Sequence, residues 1–347
     1  MKKTCQVTLN RKSFPANCGD VLLDAALLNG VELPHDCRSG ICGACRVRLV
    51  KGRVFGGQND DDEMIHACQA RLMSDIEIET ERTPDQTSVT ARVAAIVPLA
   101  PDVLGIDLEL PKPFHYLPGQ FCKLQFFGFP ARNYSPTYPL EGRPRKHVMH
   151  FHIRKFPNGL VSSELGRSIR VGHRVRVSGP FGHAFLRPNH AGGVVLASSG
   201  TGFAPMWSVA VASIIERPER ELIFVVAARR LQSLYMHAAL CRLALFPNVT
   251  IIPTVSETQS VSPAIRIGRP TDHLPILSAN DLVYVSGAPA MTAQVARIAR
   301  AAGARCFTDP FMSSETSNGQ SGLARSLGRL ARSPGKAFSG IASRLVG

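Results

Sequence analysis

Residues 37–45 read CRSGICGAC: three cysteines in nine positions, spaced by four residues and then by two. A fourth, Cys68 in the run IHACQARL, follows with 22 residues between it and Cys45. This C-x4-C-x2-C triplet with a distant fourth cysteine is the plant-type spacing for a [2Fe–2S] cluster. Each iron takes two thiolates besides the bridging sulfides, so Cys37, Cys42, Cys45 and Cys68 make a complete set. Gly40 and Gly43 allow a tight loop whose backbone N–H groups turn toward sulfur, and such bonds tune the potential. Zinc is the competing reading, but structural zinc knuckles use two C-x2-C pairs and only one is present. Simple packing of four thiols is a third. Cys5, Cys18, Cys122, Cys241 and Cys306 stand apart and read as ordinary buried thiols.

The rest of the chain has to explain what uses such a cluster. Its 347 residues suffice for two or three domains. No run of about 18 apolar residues is present, which argues against a membrane span. The opening MKKTCQVTLN reads as a first strand and not as a signal peptide, so the expected compartment is the cytoplasm, where thiols stay reduced. The net charge of +14 is uneven: residues 1–85 hold 11 Lys and Arg against 13 Asp and Glu, leaving +16 on the remainder. Without interleaved basic and aromatic residues, that excess points to anionic cofactors or an acidic protein partner and away from nucleic acid.

Patterning divides the chain into four parts. In residues 1–85, CQVTLN alternates as a strand, DVLLDAALLNG reads as a helix capped by Asp20 and stopped by Gly30, and CRVRLVKGRV alternates again. A polar linker follows at about 80–89. Residues 90–190 carry short strands broken by Pro and Gly, the pattern of an antiparallel barrel. Residues 191–311 alternate strands with helices, which gives a parallel sheet. Residues 312–347 are rich in Ser, Gly and Arg and read as a basic, disordered tail. An amphipathic helix pair through Leu323, Leu327, Leu330, Phe338, Ile341 and Leu345 is its alternative.

These parts together resemble a known family. Residues 1–85 resemble a plant-type ferredoxin of β-grasp fold, and the rest is similar to the ferredoxin–NADP reductase superfamily. The order resembles the reductase components of bacterial multicomponent oxygenases. RNYSPTY at 132–138 matches the family pattern R-x-Y-S. By resemblance, Arg132 meets the flavin pyrophosphate, Tyr134 lies against the isoalloxazine and Ser135 bonds near N5, in a catalytic position. His152, Ile153 and Arg154 of FHIRK line the cofactor. GLVSSEL at 159–165 supplies Gly159 and Ser162, whose segment offers backbone amides at a helix start. The family implies FAD. A flavin between nicotinamide and cluster also follows from electron count, since it takes a hydride and releases electrons singly.

SSGTGFAP at 198–205 follows a strand and opens a helix, so Gly200, Thr201, Gly202 and Pro205 suit a dinucleotide pyrophosphate. VSGAPAM at 285–291 matches an element usually written C-G-x-P-x-M. Here Ser286 replaces the cysteine beside the nicotinamide, a catalytic position, followed by Gly287 and Met291. After the second strand, Arg229 and Arg230 stand where an acid would favour a ribose hydroxyl, so NADH is expected to work and NADPH to be tolerated. Phe311, ending CFTDPF, is the candidate to cover the flavin ring. The resemblance implies an NAD(P)H-dependent reductase of an aromatic-ring-hydroxylating dioxygenase, with a Rieske-type ferredoxin or the terminal oxygenase as acceptor. The other readings are a soluble monooxygenase reductase, a sugar-deoxygenation reductase and a redox sensor. The acidic run NDDDEM at 59–64 is a candidate docking loop.

Overall fold

A computed structural model of the chain describes residues 3–31, 33, 35, 38, 40, 45–57, 64–80, 83–142, 144–187, 190–257 and 262–311. Cys37, Cys42, most of the acidic run and the tail lie outside the described residues. Met1–Phe311 form one compact unit.

The N-terminal domain contains β1 (Thr4–Leu9), β2 (Lys12–Asn17), α1 (Leu22–Leu28), β3 (Arg46–Lys51), β4 (Val54–Phe55), β5 (Met64–His66), β6 (Arg71–Leu72) and β7 (Ile76–Glu79). Five of its strands form a sheet in the order β2-β1-β7-β3-β5, with β1 parallel to β7. The helix buries Leu22, Leu23, Ala25 and Ala26 in one core with Val7, Val47, Ile65 and Ile78. Two expectations are corrected here. Val21, not Asp20, occupies the position before the helix. Asp20 instead accepts hydrogen bonds from Asn17 N and Nδ2, both at 3.1 Å, and so closes the turn leaving β2. Cys5 and Cys18 are not separate thiols but a disulfide, with Cα atoms 5.6 Å apart. The β1–β2 hairpin pairs Thr4 with Asn17, which carries Cys18 back beside Cys5.

The middle domain comprises β8 (Thr87–Ala100), β9 (Val103–Glu109), β10 (Phe121–Phe126), β11 (Arg132–Tyr134), β12 (Pro136–Thr137), β13 (Val148–Arg154) and β14 (Arg174–Phe181). Their order is β11-β10-β14-β8-β9-β13-β12, antiparallel throughout. The two end strands flank a single residue, Ser135. The sheet must therefore curl until its edges meet there, which makes a nearly closed barrel. Its interior holds Ile106, Leu108, Leu124, Phe126, Phe151 and Val177. The first strand begins inside the expected 80–89 linker, because Thr87 already pairs with Gly179.

The third domain contains β15 (Val194–Ser199), α2 (Phe203–Glu216), β16 (Leu222–Ala228), α3 (His237–Leu243), β17 (Val249–Val255), β18 (Arg266–Ile267), β19 (Leu282–Gly287), α4 (Pro289–Ala301) and β20 (Arg305–Pro310). The parallel sheet runs β18-β17-β16-β15-β19-β20. Central strands such as VVLASS and LVYVSG are apolar on both faces because both faces are covered. Residues of α2 and α3 share a core with one face, and Val295 and Ala299 of α4 share a core with the other.

Candidate functional site

At the cluster pole, Cys45 and Cys68 are buried, and neither is in a disulfide. Cys45 immediately precedes β3, and Cys68 lies in the turn after β5. The β3–β5 ladder, which pairs Arg46 with His66, brings the two segments together. Gly40 adopts φ +76°, a left-handed conformation that glycine takes without strain, and it packs close to Gln69. Gln69 Nε2 donates to Arg38 O at 2.8 Å, tying the loop back to the Cys68 turn. Two buried thiolate donors beside such a loop fit the sulfur ligation a [2Fe–2S] group needs.

The barrel seam sets the second half of the site. Tyr134 and Ser135 lie where the two sheet edges meet. Burial pushes the Tyr134 phenol up to about 12, with the Arg132 charge pulling the other way, so it stays protonated. The Arg132 guanidinium donates to Ala131 O at 2.8 Å. The segment at 159–165 forms a single turn, closed by Ser163 N donating to Gly159 O at 3.2 Å, and not the expected start of a helix. Gly166 at φ +82° and the Leu165–Ile169 bridge end it. Ser162 Oγ accepts from Phe156 N at 3.1 Å, and a side chain at Gly159 would collide with it.

The strand order of the parallel sheet reverses between β15 and β19. Ligands of such sheets bind in the crevice beyond the strand ends at that point. The Gly200–Gly202 turn and the Ser286–Gly287 end of β19 lie side by side there. They approach so closely that a Cβ on Gly202 would strike the Ser286 carbonyl, and one on Gly287 would strike Ser199. Thr201 lies within the short 3-10 turn between β15 and α2, and Pro205 sits in the first turn of α2. This cradle, open only to residues without side chains, fits a pyrophosphate at a helix N-terminus.

The two halves meet on a residue that the motif reading passed over. Asp309, near the end of β20, receives hydrogen bonds from Ser135 Oγ at 3.3 Å and from Ser286 Oγ at 3.3 Å. Ser286 Oγ also lies 3.1 Å from the Asp309 carbonyl. Burial raises the Asp309 pKa to about 6, with the Ser286 and Ser135 bonds pulling it down. Phe311 follows two residues later, held by its N–H to Gly287 O at 2.8 Å, with its side chain partly exposed. The available signal was an acid two positions before the aromatic, near the end of the last strand.

Other sequence candidates fall elsewhere. His152 is buried between barrel and sheet, with Nδ1 3.1 Å from the Tyr235 hydroxyl and its ring stacked near Phe203. Burial drives its pKa down to about 3, so it stays neutral. The Ile153 side chain belongs to the barrel core. Arg154 is paired with Asp102 at 3.1 Å, and its guanidinium packs against Gly200. It therefore joins barrel to nucleotide turn. Met291 packs toward the core beneath α4. Arg229 and Arg230 both pair with Glu257, at 3.8 and 3.3 Å.

Three family models match in series: a 2Fe-2S iron-sulfur cluster binding domain over residues 7–73, an oxidoreductase FAD-binding domain over 90–185 and an oxidoreductase NAD-binding domain over 196–297. The site is therefore that of an NAD(P)H oxidoreductase built for iron–sulfur, FAD and pyridine-nucleotide cofactors. The chain belongs to the ferredoxin–NAD(P) reductase family in the form that carries a 2Fe-2S domain at its N-terminal side. It is 33% identical over 297 residues to the ferredoxin–NAD(P)(+) reductase component of the naphthalene 1,2-dioxygenase system of Pseudomonas putida, covering 81% of this chain and 89% of that one. It is 28% identical to a phenol 2-monooxygenase reductase component from Pseudomonas sp. strain CF600, covering 69% and 72%. Among solved structures, an Amycolatopsis cytochrome P450 reductase aligns with a TM-score of 0.65 at 28% identity, over 89% of this chain and 99% of that one. The ferredoxin reductase of carbazole 1,9a-dioxygenase aligns with a TM-score of 0.62 at 25% identity, over 90% and 99%. Among the described residues no helix is long and apolar enough to cross a membrane.

Proposed function

We propose that this chain is the reductase component of a multicomponent aromatic-ring-hydroxylating dioxygenase. It takes electrons from NADH, and tolerates NADPH, and passes them to a Rieske-type ferredoxin or the terminal oxygenase in the cytoplasm. The observation that carries this reading is the convergence of Ser135, from the barrel motif, and Ser286, from the nucleotide motif, on Asp309. Residues 151 positions apart in sequence are held to one carboxylate, so a hydride donor and its acceptor can be oriented face to face.

When bound, the flavin supplies the exchange between a two-electron hydride donor and a one-electron carrier. The chain's own residues hold and place the partners. Arg132 offers a guanidinium suited to a phosphate, and the Gly159–Ser162 turn adds backbone amides. Gly200, Thr201, Gly202 and Pro205 shape the cradle for the nucleotide pyrophosphate. Ser286 and Gly287 border the nicotinamide position, and Phe311 closes the far side. Asp309 Oδ2 accepts from Ser135 Oγ and Ser286 Oγ, and burial raises its pKa to about 6, so the carboxylate is mostly ionised at neutral pH and takes up a proton as pH falls, one hydrogen bond from the seam. Arg229 can meet a 2′-phosphate only by loosening its pairing with Glu257, which is why NADPH is the poorer substrate. Cys37, Cys42, Cys45 and Cys68 would hold the cluster through which electrons leave.

Anaerobic addition of NADH to the purified holoprotein tests the reading. Flavin and cluster bands should bleach, and a rhombic [2Fe–2S] signal should appear by EPR. A colourless protein containing zinc would sink it. A monooxygenase reductase is the second reading, favoured by the phenol monooxygenase likeness. Comparing a Rieske-type acceptor with a monooxygenase component as electron sink separates the two.

A further inference from the structure

We infer that Phe307 is a docking ring for the N-terminal domain, and that Arg46 is a positioning residue that seats the cluster pole against β20 for electron transfer from the flavin side. The inference rests on the reductase reading above and adds to it how the cluster is brought to the site.

Phe307 is buried although β20 is the end strand of its sheet. Phe307 belongs to the core that includes Leu186, Val194 and Tyr284, and three contacts bear on its ring. Tyr284, its neighbour across the β19–β20 ladder, stacks with ring centroids 5.2 Å apart and planes 20° from parallel. The Arg187 guanidinium lies 4.1 Å from the ring centroid, and the Arg46 guanidinium lies 5.9 Å from it. Each guanidinium comes from a different part of the chain. Arg187 belongs to the connection between barrel and parallel sheet, anchored by its N–H to the Tyr284 hydroxyl at 2.9 Å and lying over Phe185 at 3.5 Å. Arg46 belongs to the N-terminal domain. One aromatic ring of the nucleotide domain thus meets a cation from each of its two neighbours.

The position of each partner gives the contact its meaning. Arg46 directly follows Cys45, and its partner across the ladder, His66, lies two residues before Cys68. The contact therefore leaves the N-terminal domain from between two cluster ligands. It lands on Phe307, two residues before Asp309 on the same strand. Two residues of strand span roughly 7 Å, and residues at that spacing share a face. The strand that receives the N-terminal domain is the strand that closes the hydride site. Electron transfer falls steeply with distance, so a domain seated here gains rate from its position alone. A cation–ring contact is also weak enough to let the domain release.

The test uses full-length holoprotein carrying Arg46→Gln, and separately Phe307→Leu. After anaerobic mixing with NADH in a stopped-flow instrument, flavin bleaching should stay within about twofold of the parent. Cluster bleaching should slow about tenfold or more. Small-angle scattering should report a larger radius of gyration for both variants. Cluster bleaching at the parental rate, or an unchanged radius of gyration, overturns the inference. Should Phe307→Leu fail to fold, Arg46→Gln decides alone, since Arg46 lies at the domain surface. If the parent itself shows no NADH-driven bleaching, the reductase reading fails, and scattering still decides whether Arg46 seats the domain.

Discussion

The cluster pole and the hydride site are built in opposite ways. At the pole, three of four candidate ligands sit in nine consecutive residues, and one short ladder brings the fourth alongside. At the hydride site, Ser135, Ser286 and Asp309 come from two domains and from three strand ends. A site of the first kind survives as long as its loop does. A site of the second kind depends on the whole stack of domains, and its central carboxylate belongs to no contiguous motif.

Breaking the local site should have the largest effect. Cys68→Ser should abolish the [2Fe–2S] EPR signal and drop cluster-dependent electron delivery to background, while NADH still bleaches the flavin. If both functions vanish together, the pole is not the independent module its compactness implies. Breaking the dispersed site should be partial. Asp309→Asn should slow flavin reduction by NADH about 100-fold, in the range removed with a proton-transfer group. In the parent that rate should fall as pH rises through about 6, because an ionised Asp309 has no proton to donate. The variant should be flat across the same window. The sign carries over to stability. Asp309 binds its proton more tightly folded than unfolded, so its stabilising contribution is full at low pH and is lost as pH rises through about 6.

Smaller effects sharpen the contrast further. The Cys5–Cys18 bond closes a loop of sequence separation 13 within the N-terminal domain alone. Replacing both cysteines by Ser, or adding reductant, should lower that domain's stability by about 3 kcal/mol as read by thermal denaturation. The hydride site should keep its parental rate of flavin reduction. The smallest change is expected at the rim. Glu257→Gln should release Arg229 and Arg230 and improve KM for NADPH by about fivefold, the scale of an exposed ion pair. NADH kinetics should not move.

The same contrast explains what could be read from the chain. The barrel and the parallel sheet were visible because short Pro- and Gly-broken strands and alternating strand–helix runs each reflect one architecture. The 2Fe-2S domain was visible because metal chemistry fixes cysteine spacing. Asp309 was not, since the acid two positions before Phe311 takes on its role only when folding lays β20 beside Ser286 and the seam beside both. His152 and Ile153 sit in a motif that is contiguous in sequence, yet strand alternation sends one side chain to the domain boundary and the other into the barrel core. The Cys5–Cys18 bond was hidden for a related reason. Each cysteine looks isolated in sequence, and only the hairpin register makes them neighbours.

The barrel closure at Ser135 has a consequence for how this protein can change over time. Because β11 and β12 are divided by one residue, the segment behaves like a reading frame. Inserting or deleting a single residue there would shift β12 by one position and swap every side chain to the opposite face. Thr137, whose hydroxyl now donates to Ala204 O at 2.8 Å, would turn away from the nucleotide domain. Substitutions outside Arg132, Tyr134 and Ser135 can accumulate in this stretch, but length changes cannot. Lineages of this chain should therefore vary in the loop that precedes β11 and keep the spacing from Arg132 to Thr137 constant.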